Sequence, residues 1–133
     1  MSQVPEDLRY TETHEWIRVE DGNIGTVGIT DYAQEELGDI IMIELPPILQ
    51  YSIVKGDKVG SIEAVKTVAD YYAPVDGEII AKNEKLEDTP DLINQDPYGE
   101  GWIFKMKITN PEQLNELMTA EEYKQFIEEE DAG

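Results

Sequence analysis

The sequence contains no cysteine. This absence excludes a disulfide framework, thiolate metal sites and a thiol nucleophile, so any redox chemistry must be brought in by an added group. Histidine is almost absent as well, because His14 is the only one in 133 residues. One imidazole beside Glu12 and Glu15 makes a weak metal site and offers little for general-base catalysis. We therefore expect no metal centre, and neither a hydrolase nor a metal enzyme is indicated.

Basic residues are scarce. Ten Lys and Arg face thirty Asp and Glu, which gives a formal net charge of −20 at pH 7. Such a surface repels phosphates and anionic membrane faces, so we expect neither nucleic acid nor a membrane as partner. No apolar run is long enough to span a bilayer. Residues 1–8 lack the features of a signal or transit peptide, and we expect a cytoplasmic protein.

Short β-branched and aromatic segments alternate with turn residues through most of the chain, which has the length of one ordinary domain. The pattern predicts a single, mainly β domain over residues 1–133, built as an antiparallel sandwich or flattened barrel. The clearest hairpin joins strands at 15–20 and 24–29 across Asp21-Gly22-Asn23.

Two later segments predict strands with defined burial. Residues 40–45 are almost continuously apolar, which indicates a strand buried on both faces. Residues 101–108 alternate, and Trp102 is expected on the buried face with the apolar residues Phe104, Met106 and Ile108. Trp16 is expected in the core for the same reason, since large aromatic side chains fill small sandwiches.

Helix signals are few and short. Thr30 or Asp31 can cap a helix over 32–37, and Gly38 ends it. Residues 88–101 predict an ordered loop with one helical turn. A helical C-terminal appendix is expected at about 111–130, where Pro111 opens one helix and a capping box of Thr119 and Glu122 opens another. The acidic run Glu128-Glu129-Glu130-Asp131 is expected to be a solvated helix end.

Lys66 stands between two predicted strands with room only for a tight turn. A lysine at a hairpin tip is accessible to an acyl-transfer enzyme, which can convert its amine to an uncharged amide. For a single lysine in a loop, the ordinary explanation is a solvated turn residue. Seven residues later, Ala73 to Gly77 read Ala-Pro-Val-Asp-Gly. A lysine followed by such a Pro-x-x-Gly turn and an apolar strand is similar to lipoyl and biotinyl domains.

The segment from Glu63 to Lys66, followed by residues 70–78, resembles the lipoylation segment of glycine cleavage H proteins. Further family-like segments occur in the same order along the chain: 13–16, 28–40, 44–46, 92–94, 97–98, 101–102 and 121–130. The resemblance covers nearly the whole chain. There are departures at 47–51, where a glycine-bearing turn is replaced, at Ala64, and at Thr67-Val68.

The resemblance implies a lipoyl/biotinyl-like fold with lipoate attached covalently to the side-chain nitrogen of Lys66. It also implies that the chain has no catalytic residue and no enzymatic activity by itself. It also implies four partners: glycine decarboxylase (P protein), aminomethyltransferase (T protein), dihydrolipoyl dehydrogenase (L protein) and a lipoyl-attaching enzyme. In such systems the P protein loads an aminomethyl group onto the lipoyl sulfur. The T protein then transfers the one-carbon unit to tetrahydrofolate, and the L protein reoxidises the arm with NAD.

The resemblance further implies a polar cleft that shelters the loaded arm. We assign Glu63, Asp70 and Glu15 to this cleft as acids near the arm, with Thr13 as a hydroxyl partner. Carboxylates favour a nearby protonated amine. Without the resemblance, these residues would be interpreted as ordinary polar groups near strand ends.

Two related carriers are the alternatives. The acceptor lysine of a biotin carrier normally lies between two methionines, whereas Lys66 lies between Val65 and Thr67. Lipoyl domains of 2-oxo acid dehydrogenases usually have Asp before the lysine and lack the helical tail and the Thr-His-Glu-Trp segment near the start of this chain. The H-protein hypothesis is therefore favoured over both.

Overall fold

The computed structural model describes residues 2–46 and 51–132. In these ranges the strands are β1 (Arg9–Tyr10), β2 (Glu15–Glu20), β3 (Ile24–Ile29), β4 (Ile40–Ile43), β5 (Tyr51–Ile53), β6 (Lys58–Ala64), β7 (Val68–Tyr72), β8 (Gly77–Lys82) and β9 (Phe104–Ile108). All pairings are antiparallel. They form a six-stranded sheet, in the order β1-β2-β3-β9-β8-β5, and a three-stranded sheet, in the order β4-β6-β7. The predicted mainly β sandwich is confirmed; it is flattened and not a closed barrel.

The main core contains apolar side chains from both sheets. Val27, Ile79 and Phe104 come from the larger sheet, and Ile62 and Tyr71 come from the smaller one. Alternation along each strand gives every sheet one apolar face, and burial of these faces is the dominant stabilising term. The smaller sheet therefore turns one face inward and leaves the other open.

The helices are α1 (Asp31–Leu37), α2 (Lys85–Asp88), α3 (Leu92–Gln95), a 3₁₀ helix (Pro111–Glu116) and α4 (Ala120–Ala132). The cap predictions for α1 are confirmed: the Thr30 hydroxyl accepts from the Ala33 amide, and Gly38 ends the helix with φ +80°. The capping box is confirmed too, because Thr119 and Glu122 exchange two hydrogen bonds of 2.9 and 3.3 Å. The loop at 88–101 contains α3, while α2 ends as that loop begins.

The C-terminal segment packs against the rest of the structure through helix α4. Tyr123 of α4 is fully buried and stacks on Tyr10, with ring centroids 4.6 Å apart. Trp16 belongs to the same second apolar cluster and is also fully buried, as predicted. The helix predicted from Pro111 is a 3₁₀ helix that ends at Glu116. Met118 instead forms an isolated bridge with Tyr10.

The prediction that residues 40–45 are buried on both faces is wrong. Ile41 and Met42 are 50% and 59% exposed. Strand β4 is an edge strand of the three-stranded sheet, and a register shift between Ile40 and Met42 interrupts its pairing with β6. A β-bulge places an extra residue on one strand and breaks the simple alternation of side chains. Two consecutive side chains of β4 are therefore exposed.

The prediction that Trp102 lies on the buried face of its strand is wrong. The strand begins only at Phe104, and the Trp102 amide donates to the carbonyl of Gly99 in a turn. Ile103 takes the buried position, while the Trp102 ring is only partly buried and lies beneath the Lys105 ammonium at 5.5 Å. Alternation of buried and exposed side chains holds only within a strand, and Trp102 belongs to the turn before it.

Across residues 2–46 and 51–132, no helix is long and apolar enough to cross a membrane. The loop departure noted at 47–51 falls mainly on residues 47–50, which lie outside the described residues.

Candidate carrier lysine and its neighbouring cleft

Lys66 lies at the tip of the hairpin formed by β6 and β7. The last register pair joins Glu63 to Val68, and the Ala64 amide donates to the carbonyl of Thr67 at 2.8 Å. These contacts leave Val65 to Thr67 as the loop, and the Lys66 side chain is exposed. The hairpin predicted from the sequence is confirmed, and it presents the amine to solvent.

The stem of the Lys66 side chain passes close to Gly38. A Cβ atom placed on Gly38 would lie 3.5 Å from Cε and 3.9 Å from Nζ of Lys66. Gly38 also has φ +80°, a conformation that glycine adopts without steric cost. The lysine therefore lies over the C-terminal end of α1, next to Leu37.

A cavity of about 280 Å³ is lined by residues of α1, of the hairpin strands and of α4, including Leu37 at the end of α1. Its apolar lining comes from Ile29, Ala33, Leu37, Ile62 and Ala69, and its polar lining from Thr13, His14, Tyr32, Glu36, Asp70 and Glu130. The cavity combines apolar walls with five side chains that carry a carboxylate or a hydroxyl. Such a lining suits a chain that is apolar along its length and cationic at its end.

Glu15 lies directly behind Thr13 and is 1% exposed. Its Oε1 atom accepts hydrogen bonds from Thr11 and Thr13 at 2.6 and 2.5 Å, and its Oε2 atom accepts from the Tyr72 amide at 3.2 Å. Burial raises the pKa of Glu15 to about 7, although these hydrogen bonds favour the charged form and oppose the increase. This carboxyl is consequently poised to change its charge near neutral pH.

The four residues assigned to a cleft do not share one location. Thr13 and Asp70 line the cavity, and Glu15 reaches it only through Thr13. Asp70 also forms an ion pair with Lys58 at 3.4 Å. Glu63 is exposed on the outer face of the small sheet, one position from Ile62, which faces the cavity. Glu63 is three residues before Lys66 in the sequence, and it is not among the residues that line this cavity.

His14 contributes to the cavity in a way that the sequence did not indicate. Its Nδ1 atom lies 2.8 Å from the Tyr123 hydroxyl, and its Nε2 atom lies 3.2 Å from a Glu130 carboxylate oxygen. Burial lowers the pKa of His14, and Glu130 partly offsets this effect. Glu130 and Asp131, which accepts from the Tyr32 hydroxyl at 2.9 Å, thus anchor α4 instead of forming only a solvated helix end. In the sequence, only its position next to Thr13 could have placed His14 near this cavity.

The fold and the hairpin lysine define a carrier domain that displays a modifiable amine. The family profile described as Glycine cleavage H-protein matches residues 8–130. The chain is 51% identical over 130 residues to the glycine cleavage system H protein of Carboxydothermus hydrogenoformans, covering 98% of both chains. It is 50% identical over 129 residues to that of Symbiobacterium thermophilum, covering 97% of this chain and 99% of the relative.

A solved structure gives the same result. The crystal structure of a glycine cleavage system H protein from Mycobacterium marinum matches with a TM-score of 0.82 and 38% identity, covering 90% of this chain and 95% of that one. The chain belongs to the glycine cleavage H-protein family, whose members are lipoyl carrier components of the glycine cleavage system and not catalysts. The resemblance seen in the sequence is confirmed.

Proposed function

We propose that Lys66 carries a covalent lipoyl arm and that this chain shuttles the arm among the enzymes of the glycine cleavage system. The observation that carries the proposal is the exposed Lys66 at the tip of a tight hairpin whose strands line a cavity with apolar and acidic side chains. Membership of the H-protein family over residues 8–130 supports it.

Attachment of the arm is an acyl transfer to Lys66. The unprotonated Nζ attacks the carbonyl carbon of an activated lipoyl donor, such as an acyl adenylate. The new amide C–N bond forms, the bond to the activating phosphate breaks, and one proton leaves the nitrogen. The exposure of Lys66 makes this attack possible, and the product amide carries no charge.

The residues present in the cavity fit such an arm. When bound, the lipoyl group supplies a dithiolane that takes up the aminomethyl unit and two reducing equivalents. Ala33, Leu37 and Ile62 form apolar walls, while Thr13 and Asp70 provide oxygen atoms in the lining. A protonated amine beside Asp70 gains about 1 kcal/mol when exposed, and more when water is partly excluded. The chain has no cysteine that could exchange with the lipoyl sulfurs.

The proposed partners are the P protein, which loads the arm, the T protein, which unloads it, and the L protein, which reoxidises it. The chain holds the loaded arm between these encounters and excludes water from it. A net charge of −20 gives a long-range field that attracts basic partner surfaces and limits self-association.

Replacement of the acceptor tests the proposal. Lys66→Arg keeps the positive charge at the exposed tip but cannot be acylated, so we expect a folded protein with no carrier activity. The measurement is glycine-dependent NADH formation with the P, T and L proteins. Lys82→Arg and Lys85→Arg are matched controls that should retain full activity, as should the same change at Lys55 and Lys58. Activity of the Lys66→Arg variant would show that Lys66 is not the carrier residue.

A further inference from the structure

The most exposed large apolar side chains of the described residues are not evenly distributed. They are Val19, Ile41, Met42, Val54, Val65 and Val68, with exposed fractions from 47% to 72%. Ile41, Met42, Val65 and Val68 all lie at the Lys66 end of the three-stranded sheet. We call these four residues the outer patch.

The strand register shows how the outer patch is arranged around Glu63. Met42 of β4 is paired with Glu63 of β6, and Glu63 is paired with Val68 of β7. Directly paired residues place their side chains on the same face, with Cβ atoms about 5 Å apart. The Val65 amide donates to the carbonyl of Asp39 at 3.0 Å, which holds the Lys66 loop beside the start of β4. Met42 and Val68 therefore lie in one row across the sheet, next to the lysine.

Met42 and Val68 of the outer patch point away from Ile62 and Ala69, two residues of the cavity wall. Ile62 and Ala69, which form the register pair next to Glu63 and Val68, line the cavity, whereas Met42 and Val68 are exposed on the other face. An arm folded into the cavity leaves the patch uncovered. A group of exposed apolar side chains rimmed by carboxylates is characteristic of an interaction site.

We infer that the outer patch is the docking surface for the enzyme that attaches the arm to Lys66; the inference rests on the proposed function. That enzyme alone must bring its reacting centre to Nζ itself, so it must cover the residues that flank the hairpin tip. Enzymes that use the finished arm act at its distal end, many bonds away from Met42 and Val68.

The surroundings of the outer patch define the chemistry of this partner. Asp39, Glu44 and Glu63 are exposed around or within the patch, and none of them lies in the main core. The complementary surface is therefore an apolar rim around the opening of an acyl-transfer site, with basic side chains facing these carboxylates. Charge complementarity of this kind raises association rates and aligns the partner.

The test compares acid substitutions in the outer patch with one at a distant, equally exposed valine. Met42→Asp and Val68→Asp change the patch, and Val54→Asp is the control because Val54 is 56% exposed near the opposite end of β6. All three variants gain the same charge. Met42 is also remote in sequence from Lys66, so its effect cannot come from the local chain at the acceptor. Met42→Gln keeps the side-chain length and is a milder variant.

Each apo protein is incubated with an ATP-dependent lipoate ligase, lipoate and ATP, and lipoylation is followed by intact mass. We expect kcat/KM for lipoylation to fall about tenfold for Met42→Asp and Val68→Asp and to change less than about twofold for Val54→Asp. Each protein is then lipoylated to completion and assayed with dihydrolipoyl dehydrogenase and NADH. Turnover by this second enzyme should be equal for all variants.

Two results would overturn the inference. Lipoylation of Met42→Asp and Val68→Asp at the wild-type rate would show that the ligase does not contact the outer patch. A parallel loss in the dehydrogenase assay would show that the patch serves partners in general or supports the hairpin. Failure of the proposed function would be distinct, because the wild-type protein itself would then gain no lipoyl mass at Lys66.

Discussion

At the scale of single residues, Glu15 links the interior of the protein to the cavity. Its side chain accepts a hydrogen bond from the hydroxyl of Thr13, which lines the cavity. It also accepts one from the backbone amide of Tyr72, the last residue of the strand that contains Asp70. Removal of the carboxyl group takes away the acceptor of the short Thr13 hydrogen bond, and above the pKa of Glu15 it also removes a negative charge from beside the cavity. Glu15 thus acts on the arm mainly through its neighbour.

We predict that Glu15→Ala shortens the lifetime of the loaded arm without preventing lipoylation or turnover by the L protein. The loaded group is prone to hydrolysis, and a weakened dock exposes it to water for more of the time. The measurement is the rate of formaldehyde and ammonia release from loaded protein. Equal release rates for wild type and Glu15→Ala would exclude a sheltering role for this residue.

The raised pKa of Glu15 also makes stability depend on pH. Since its pKa is about 7 in the folded protein and 4.5 in the reference state, the folded protein binds the proton more tightly. The resulting stabilisation is fully present below pH 4.5 and is lost as pH rises through about 7. A shift of this size corresponds to about 3 kcal/mol.

Glu15→Gln removes this titration while preserving the size of the side chain. We expect the unfolding free energy of the wild type minus that of the variant to fall by about 3 kcal/mol from about pH 4 to about pH 8. His14 contributes the opposite slope, because its lowered pKa gives stabilisation that is lost as pH falls. That contribution is common to both proteins and cancels in the difference. Parallel stability curves for the two proteins would contradict the assigned pKa.

At the scale of secondary-structure elements, the two tryptophans differ because of where their strands begin. Trp16 lies inside β2, is fully buried, and donates from Nε1 to the carbonyls of Ile29 and Pro97 at 2.9 and 3.0 Å. Trp102 precedes β9 and is only partly buried. We expect Trp16→Ala to cost about 3 to 5 kcal/mol and Trp102→Ala clearly less. Denaturant unfolding of both variants measures this, and an equal or larger loss for Trp102→Ala would refute the burial difference.

Local signals in the sequence were sufficient for elements whose boundaries depend on neighbouring residues. The Thr30 cap, the Gly38 stop and the capping box at Thr119 were all predicted, because each depends on contacts within one helical turn. The burial of β4 was not, because it depends on the strand order β4-β6-β7. An apolar run does not show whether its strand lies at an edge or in the middle of a sheet.

At the scale of the whole molecule, the candidate lysine was easier to predict than its cavity. The position of Lys66 follows from two adjacent strands and a short loop. The cavity instead joins the segment at Thr13, helix α1, the hairpin and Glu130 of α4, which are far apart in the sequence. No local pattern encodes such a meeting, and the contribution of His14 and Glu130 was therefore missed.

We propose that Lys66 is the acceptor of the lipoyl group in this carrier protein. Intact-mass measurement of protein isolated from its native host, followed by fragmentation to locate the modified residue, tests it most directly. We predict one lipoyl increment on Lys66 and none on the Lys66→Arg variant expressed in the same host. A biotin increment, or a lipoyl increment on another lysine, would contradict the claim.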